Sequence, residues 1–176
     1  SGAGITVEED ALPQTGSALF LQKAVPQTSL LRGAILHRFL QMLPAMPREE
    51  RKAAAERYLE RSVPDWPEAE RRALVQSVLG VIEDESLERL FSSGSRAEVS
   101  IMGTLTLGKR EHAVSGRIDR LAVTDDTVII ADFKTNREIP GSAEDVPLVY
   151  RAQLAVYRAI LQPLYPKHRF ECVLIY

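Results

Sequence analysis

The residues able to do chemistry gather in one stretch, VSGRIDRLAVTDDTVIIADFKTN, residues 114–136. Two apolar runs flank Asp125–Asp126, which read as a hairpin loop. A two-residue loop there pairs Thr124 with Thr127 and sets Asp119 directly opposite Asp132, and a four-residue loop gives the same register. Directly opposed side chains share a face with Cβ atoms roughly 4.5–5.5 Å apart. Period-two geometry adds Lys134 to that face, along with Leu121, Val123, Val128 and Ile130. Two acids and a lysine thus stand at one end of a core-facing surface. Opposed carboxylates on a buried face repel unless something neutralises them. Lys134 could do so alone, as a structural ion pair. A hard divalent cation taking oxygen ligands from both aspartates would do it better. A three-residue loop would separate the pair.

Further candidates lie on either side. His37, in RGAILHRFLQ, shares a helical stripe with Gly33, Leu40 and Leu43, which suits a core histidine or a metal ligand. Gly33, one turn earlier, leaves room for a close approach. Gln153 and Tyr157 are four apart and so share one helical face, with Tyr150, Leu154 and Leu161. That stripe reads as core or as a pocket wall. Arg151 and Arg158 flank it, as phosphate contacts or as solvated charges. Glu98 opens a strand after the turn at 92–95, where an exposed edge charge is the plain reading. His112 and His168 read as surface residues, and KREH at 109–112 as a hairpin loop.

In order along the chain, RGAILHRFLQ, GRIDR, IADFKTN and QLAVY resemble the PD-(D/E)XK nucleases of the RecB-like branch. The likeness is strongest to the C-terminal nuclease domain of AddA-type double-strand-break repair helicase–nucleases. It covers residues 29–176; the proline of the "PD" element is replaced by Ile118, as is usual in this branch. The resemblance implies a restriction-endonuclease-like α/β core, a mixed sheet flanked by helices, with an added N-terminal helical segment. It implies a metal-dependent deoxyribonuclease, an exonuclease module hydrolysing phosphodiester bonds with a metal-activated water. Asp119 and Asp132 would ligate Mg²⁺ (or Mn²⁺ in its place), with the main-chain carbonyl of Phe133 and the imidazole of His37. Lys134 would orient and help deprotonate the attacking water and stabilise developing charge on the phosphate. Gln153 and Tyr157 would face the pocket and help bind DNA, and Glu98 would stand near the metal. The implied partners are DNA, helicase motor domains of the same polypeptide and a second subunit. An inactive nuclease fold serving DNA guiding or subunit interaction is the competing reading, which the intact Asp119, Asp132 and Lys134 oppose. No G-x-x-x-x-G-K-[ST] or G-x-G-x-x-G occurs, so no nucleotide site is expected.

The elements positioning these residues follow from period and punctuation. Residues 1–28, turn-rich and aperiodic, read as a linker or extended arm, and 29–176 as the nuclease domain. Helices are expected from Ser29 to Pro44, over 48–62, over 68–82, briefly over 86–91, and over 147–162. Strands are expected over 96–107, 112–123, 127–134 and 169–176. A chain stopping at Tyr176 inside an apolar strand reads as a fragment of a larger protein, truncated at its C-terminal end. The 176 residues are 45% hydrophobic and 26% charged with net charge −2, which excludes a disordered tail and a wholesale basic footprint for nucleic acid. A single cysteine excludes an intrachain disulfide and a four-cysteine iron–sulfur cluster, and accords with a cytoplasmic setting. No apolar run approaches the roughly 20 residues of a membrane span.

Overall fold

The computed structural model describes residues 27–135 and 139–176. Proline punctuation sets most of the helix starts. Pro47, Pro67 and Pro147, with φ of −52°, −53° and −51°, stand immediately before α2 (Arg48–Ser62), α3 (Glu68–Ile82) and α4 (Leu148–Leu161). A ring-locked φ of that size is already suited to a helical start. Acidic residues occupy the first turns of α2 and α3, where the helix dipole favours them. The first helix, α1 (Gln27–Met42), begins two residues ahead of the expected Ser29 cap. In sequence Pro26 precedes Gln27 as Pro47 precedes Arg48. The expected arm lies outside the described residues apart from Gln27 and Thr28, which are helical. The short fourth helix is a 3₁₀ segment, Glu85–Phe91, capped by Asp84 accepting from the Ser86 amide at 2.8 Å.

Four strands form one sheet in the order β1 (Arg96–Leu107), β2 (Arg110–Val123), β3 (Thr127–Phe133) and β4 (Arg169–Ile175). The first three are antiparallel, and β4 runs parallel to β3 after the crossover through α4. Asp125–Asp126 form the β2–β3 loop, where the Thr124 amide donates to the Thr127 carbonyl at 2.9 Å. The expected register holds, with Leu121 opposite Ile130 and Arg120 opposite Ala131. The β1–β2 turn is tighter than expected: Gly108, at φ +65°, and Lys109 make it, and Arg110–His112 belong to β2.

β3 is buried along its whole length. Val128 and Ile130 pack with Leu154, Tyr157 and Leu161 of α4 on one face. On the other, Ile129 and Ala131 meet Leu90, while Phe133 joins the apolar cluster of α1, α2 and α3. The mixed sheet is therefore flanked by α4 on one side and by the N-terminal helices on the other, the α/β architecture expected.

One irregularity sits beside Asp119. Ile118 and Leu121, three residues apart, both pack beneath α4, while Arg120 between them donates to the Leu40 carbonyl of α1 at 3.1 Å. The alternation of β2 thus changes phase across Asp119. In the β1–β2 register Glu98 falls opposite Asp119, between the pairs Ala97–Arg120 and Val99–Ile118. Its φ is +54°, in the left-handed region. Such a backbone costs a side-chain-bearing residue about 1–2 kcal/mol.

Tyr157 depends on a glycine two residues before Ile118. A Cβ at Gly116 would lie 2.6 Å from Cε1 of Tyr157. The ring is held by its hydroxyl, which donates to the Arg117 carbonyl at 3.0 Å and accepts from Gln153 Nε2 at 2.9 Å. Gly116→Ala should therefore destabilise the fold by about 1–3 kcal/mol, the usual cost of overpacking. Thermal unfolding checks this, and an unchanged midpoint would show that the ring yields freely.

Candidate metal centre

The site forms where α1 meets the end of the β2–β3 hairpin far from its loop. Gly33 lets α1 approach the chain beyond β3: a Cβ there would lie 3.3 Å from Thr135 Oγ1. One turn later, His37 sets its ring edge against Phe133, centroids 5.9 Å apart. Its Nδ1 is 3.8 Å from Asp119 Oδ2. Asp119 also accepts the Phe133 amide at 2.8 Å. Glu98 completes a trio, since ligand atoms of His37, Glu98 and Asp119 all lie within 4.8 Å of one another.

Asp132 and Lys134 form a second group. Lys134 Nζ is 2.5 Å from Asp132 Oδ2, and both side chains are largely shielded from water. The same ammonium donates to Gln153 Oε1 at 3.3 Å and stands 4.0 Å from the centroid of the Tyr150 ring. Gln153 in turn donates to Tyr157, so one line of contacts runs from Asp132 through Lys134 and Gln153 to the backbone of β2. Besides this ion pair, buried Asp132 Oδ2 has no hydrogen-bond partner among the described residues.

The two ways of neutralising the opposed acids are thus divided between them. Lys134 serves Asp132. Asp119 has an amide instead, and burial, with the Asp132 charge adding to it, raises its carboxyl above the ordinary value. Two carboxylates and an imidazole within mutual reach, one of them desolvated without a full counter-charge, form a donor set suited to a hard divalent cation.

The other candidates divide. Gln153 is half-buried at the lysine, and Tyr157 is 2% exposed, with its hydroxyl used internally. Arg151 is exposed on α4. Arg158 lies over Phe170, which pairs with Val128 toward the hairpin-loop end of β3. That is about 13 Å along the strand from Asp132, at roughly 3.3 Å per residue. His168 is half-buried, its ring edge against Tyr165. Two residues of GRIDR acquire roles that the sequence reading left unassigned. Arg117 pairs with Glu98, Nε to Oε2 at 2.8 Å. Arg120 is buried, its guanidinium 4.9 Å from the Phe91 ring centroid and hydrogen-bonded to Ser95 and Leu40. It fastens β2 to α1 beside Asp119, three residues beyond His37. Alternation from Leu121 sends Arg120 to the α1 side, and the residue out of phase is Ile118, which shares the α4 face with Leu121.

A family model of the PD-(D/E)XK nuclease superfamily matches residues 14–175, and the chain belongs to that superfamily. The match begins within the segment expected to be an arm. No curated protein matches the chain. Among the solved chains that match is one titled "Crystal structure of SSO0001", 18% identical, covering 84% of this chain and 71% of its own, with a TM-score of 0.35. No helix among the described residues is long and apolar enough to cross a membrane.

The raised Asp119 carboxyl has a measurable consequence. The folded chain keeps that proton at pH values where the unfolded chain has lost it, so this group's contribution to stability declines as pH rises through that interval. Asp119→Asn keeps an oxygen to accept the Phe133 amide and removes the charge. In EDTA, the stability of the variant relative to wild type should therefore grow from pH 4 to pH 7. Mn²⁺ should stabilise wild type far more than the variant. Urea unfolding at both pH values tests this, and parallel pH curves would refute it.

Proposed function

We propose that this chain is a metal-dependent DNA nuclease domain of the RecB-like branch, nearest the AddA type. In this reading it is the exonuclease module of a cytoplasmic helicase–nuclease acting in double-strand-break repair, with motor domains in the same polypeptide and a second subunit as partners. The observation that carries the reading is the convergence of His37, Glu98 and Asp119 beside the Asp132–Lys134 pair. The motif order His37, Asp119, Asp132-x-Lys134, Gln153 and Tyr157 supports the finer placement.

His37, Asp119 and Glu98 would hold the cation, with Asp132 and the Phe133 carbonyl completing the set. Bound there, Mg²⁺ or Mn²⁺ supplies Lewis-acid polarisation of a phosphate and lowers the pKa of a coordinated water. Lys134 brings the one ammonium of this network, held by Gln153 and the Tyr150 ring so that it keeps its place when Asp132 turns to other work. There it orients the attacking water and stabilises negative charge developing on the phosphate. Gln153 and Tyr157 position Lys134 from behind, which assigns them a supporting part rather than direct contact with bases.

Lys134→Ala should lower Mg²⁺-dependent cleavage of linear DNA by at least about a hundredfold, the scale of losing one electrostatic stabiliser. Mn²⁺ uptake should survive in that variant and weaken in Asp132→Asn. Cleavage assays on end-labelled linear and closed circular DNA, with calorimetric Mn²⁺ titration, separate these roles. Undiminished cleavage by Lys134→Ala would sink the assignment, and preference for free ends would support the exonuclease reading.

A further inference from the structure

The ion pair between Arg117 and Glu98 has no evident purpose in stability. Arg117 is 65% exposed and Glu98 25% exposed, and pairs so solvated add little to a fold. Yet Glu98 is held there at the expense of a left-handed backbone conformation. It is also one of the three residues able to hold a cation. Its carboxylate therefore has two competing partners, the Arg117 guanidinium and the cation. Arg117 lies two residues before Asp119, and its carbonyl is already fixed by the Tyr157 hydroxyl. Only the exposed side chain is free to change partner.

We propose that Arg117 is a phosphate-binding residue whose availability is coupled to occupancy of the metal centre. Without a cation, Arg117 neutralises Glu98. A cation drawing on Glu98 takes over that neutralisation, and the guanidinium at the mouth of the site becomes free for a nucleic-acid phosphate, which it matches bidentately. Because the coupling is reciprocal, the cation raises affinity for the nucleic acid and the nucleic acid raises affinity for the cation. Backbone binding is thereby favoured once the site is ready to act. The inference rests on the nuclease reading for its substrate and on the ion pair for its residue.

Two measurements test it, neither requiring turnover. By calorimetry with Mn²⁺ alone, Arg117→Gln should bind the cation roughly two- to fivefold more tightly than wild type, the range that exposed ion pairs span. If Arg117 merely held Glu98 in place for the cation, the same variant would bind Mn²⁺ more weakly, which overturns the proposal. The second measurement is fluorescence anisotropy with a labelled oligonucleotide, in a Lys134→Ala background to prevent cleavage. With Mn²⁺ present, Arg117→Gln should lower the salt slope of binding by about one. In EDTA it should leave the slope nearly unchanged. Glu98→Gln should raise DNA affinity in EDTA, and that gain should vanish when Arg117→Gln is added. Equal losses with and without Mn²⁺, or no loss in either, would overturn the coupling. Wild type taking up neither Mn²⁺ nor DNA would instead overturn the nuclease reading.

Discussion

Repulsion on Asp119 from the carboxylates of Asp132 and Glu98, at one end of a sheet, is the constraint around which this structure is arranged. Glu98, Asp119 and Asp132 come from three adjacent strands. At the effective dielectric of a protein surface, two unit charges 4 Å apart interact by about 4 kcal/mol. A hydrogen bond to a charged group returns about 1.5–3 kcal/mol. No single partner therefore suffices, and each acid has its own: Arg117 for Glu98, the Phe133 amide for Asp119 and Lys134 for Asp132. The arrangement is least complete at Asp119, whose amide partner is neutral and whose carboxyl is the one raised by burial.

Supporting contacts keep these partners where they are. Lys134, in contact with Asp132, is also bonded to Gln153 and packed on the Tyr150 ring. Gln153 is fixed by Tyr157, and Tyr157 by the Arg117 carbonyl and by the absence of a Cβ at Gly116. The lysine is thus located relative to β2 through Gln153 and Tyr157. On the opposite face Arg120 performs the corresponding task for His37, joining the α1 backbone to the strand that carries Asp119. Between the two devices the alternation of β2 changes phase, so that Ile118 and Leu121 share one face while Arg120 takes the other.

This explains which features were legible in the sequence. The Asp125–Asp126 loop fixed the β2–β3 register, and prolines at 47, 67 and 147 fixed three helix starts to within a residue. Both are local signals, read over a few neighbouring residues. The facing of Asp119 was not local. Strict alternation places it with Leu121 and Val123, whereas the alternation of β2 changes phase across it, opposite the left-handed backbone of Glu98 on another strand. Glutamate carries no sequence signature for positive φ, unlike glycine at Gly108, so the break and the roles of Arg117 and Arg120 stayed hidden. By its spacing Tyr157 reads as core or pocket wall; the structure buries it, with its hydroxyl bonded to the Arg117 carbonyl and its ring against Gly116.

The candidate metal centre is also the place where distant parts of the chain meet. His37 stands on α1, Glu98 on β1 and Asp119 on β2, and the unfolded chain holds no such trio. A cation that binds the folded chain and not the unfolded one adds its binding free energy to folding. The repulsion built into this sheet end then has two consequences. It would weaken the fold locally, at the junction of α1 with the hairpin, and would preserve for a cation an affinity that a fully neutralised cluster lacks. Pairing Asp119 with a lysine, as Asp132 is paired, would relieve that repulsion and make the cluster a poorer donor set for a cation. The neutral amide at Asp119 is therefore the feature that separates this cluster, as a candidate donor set, from an ion-pair network complete in itself.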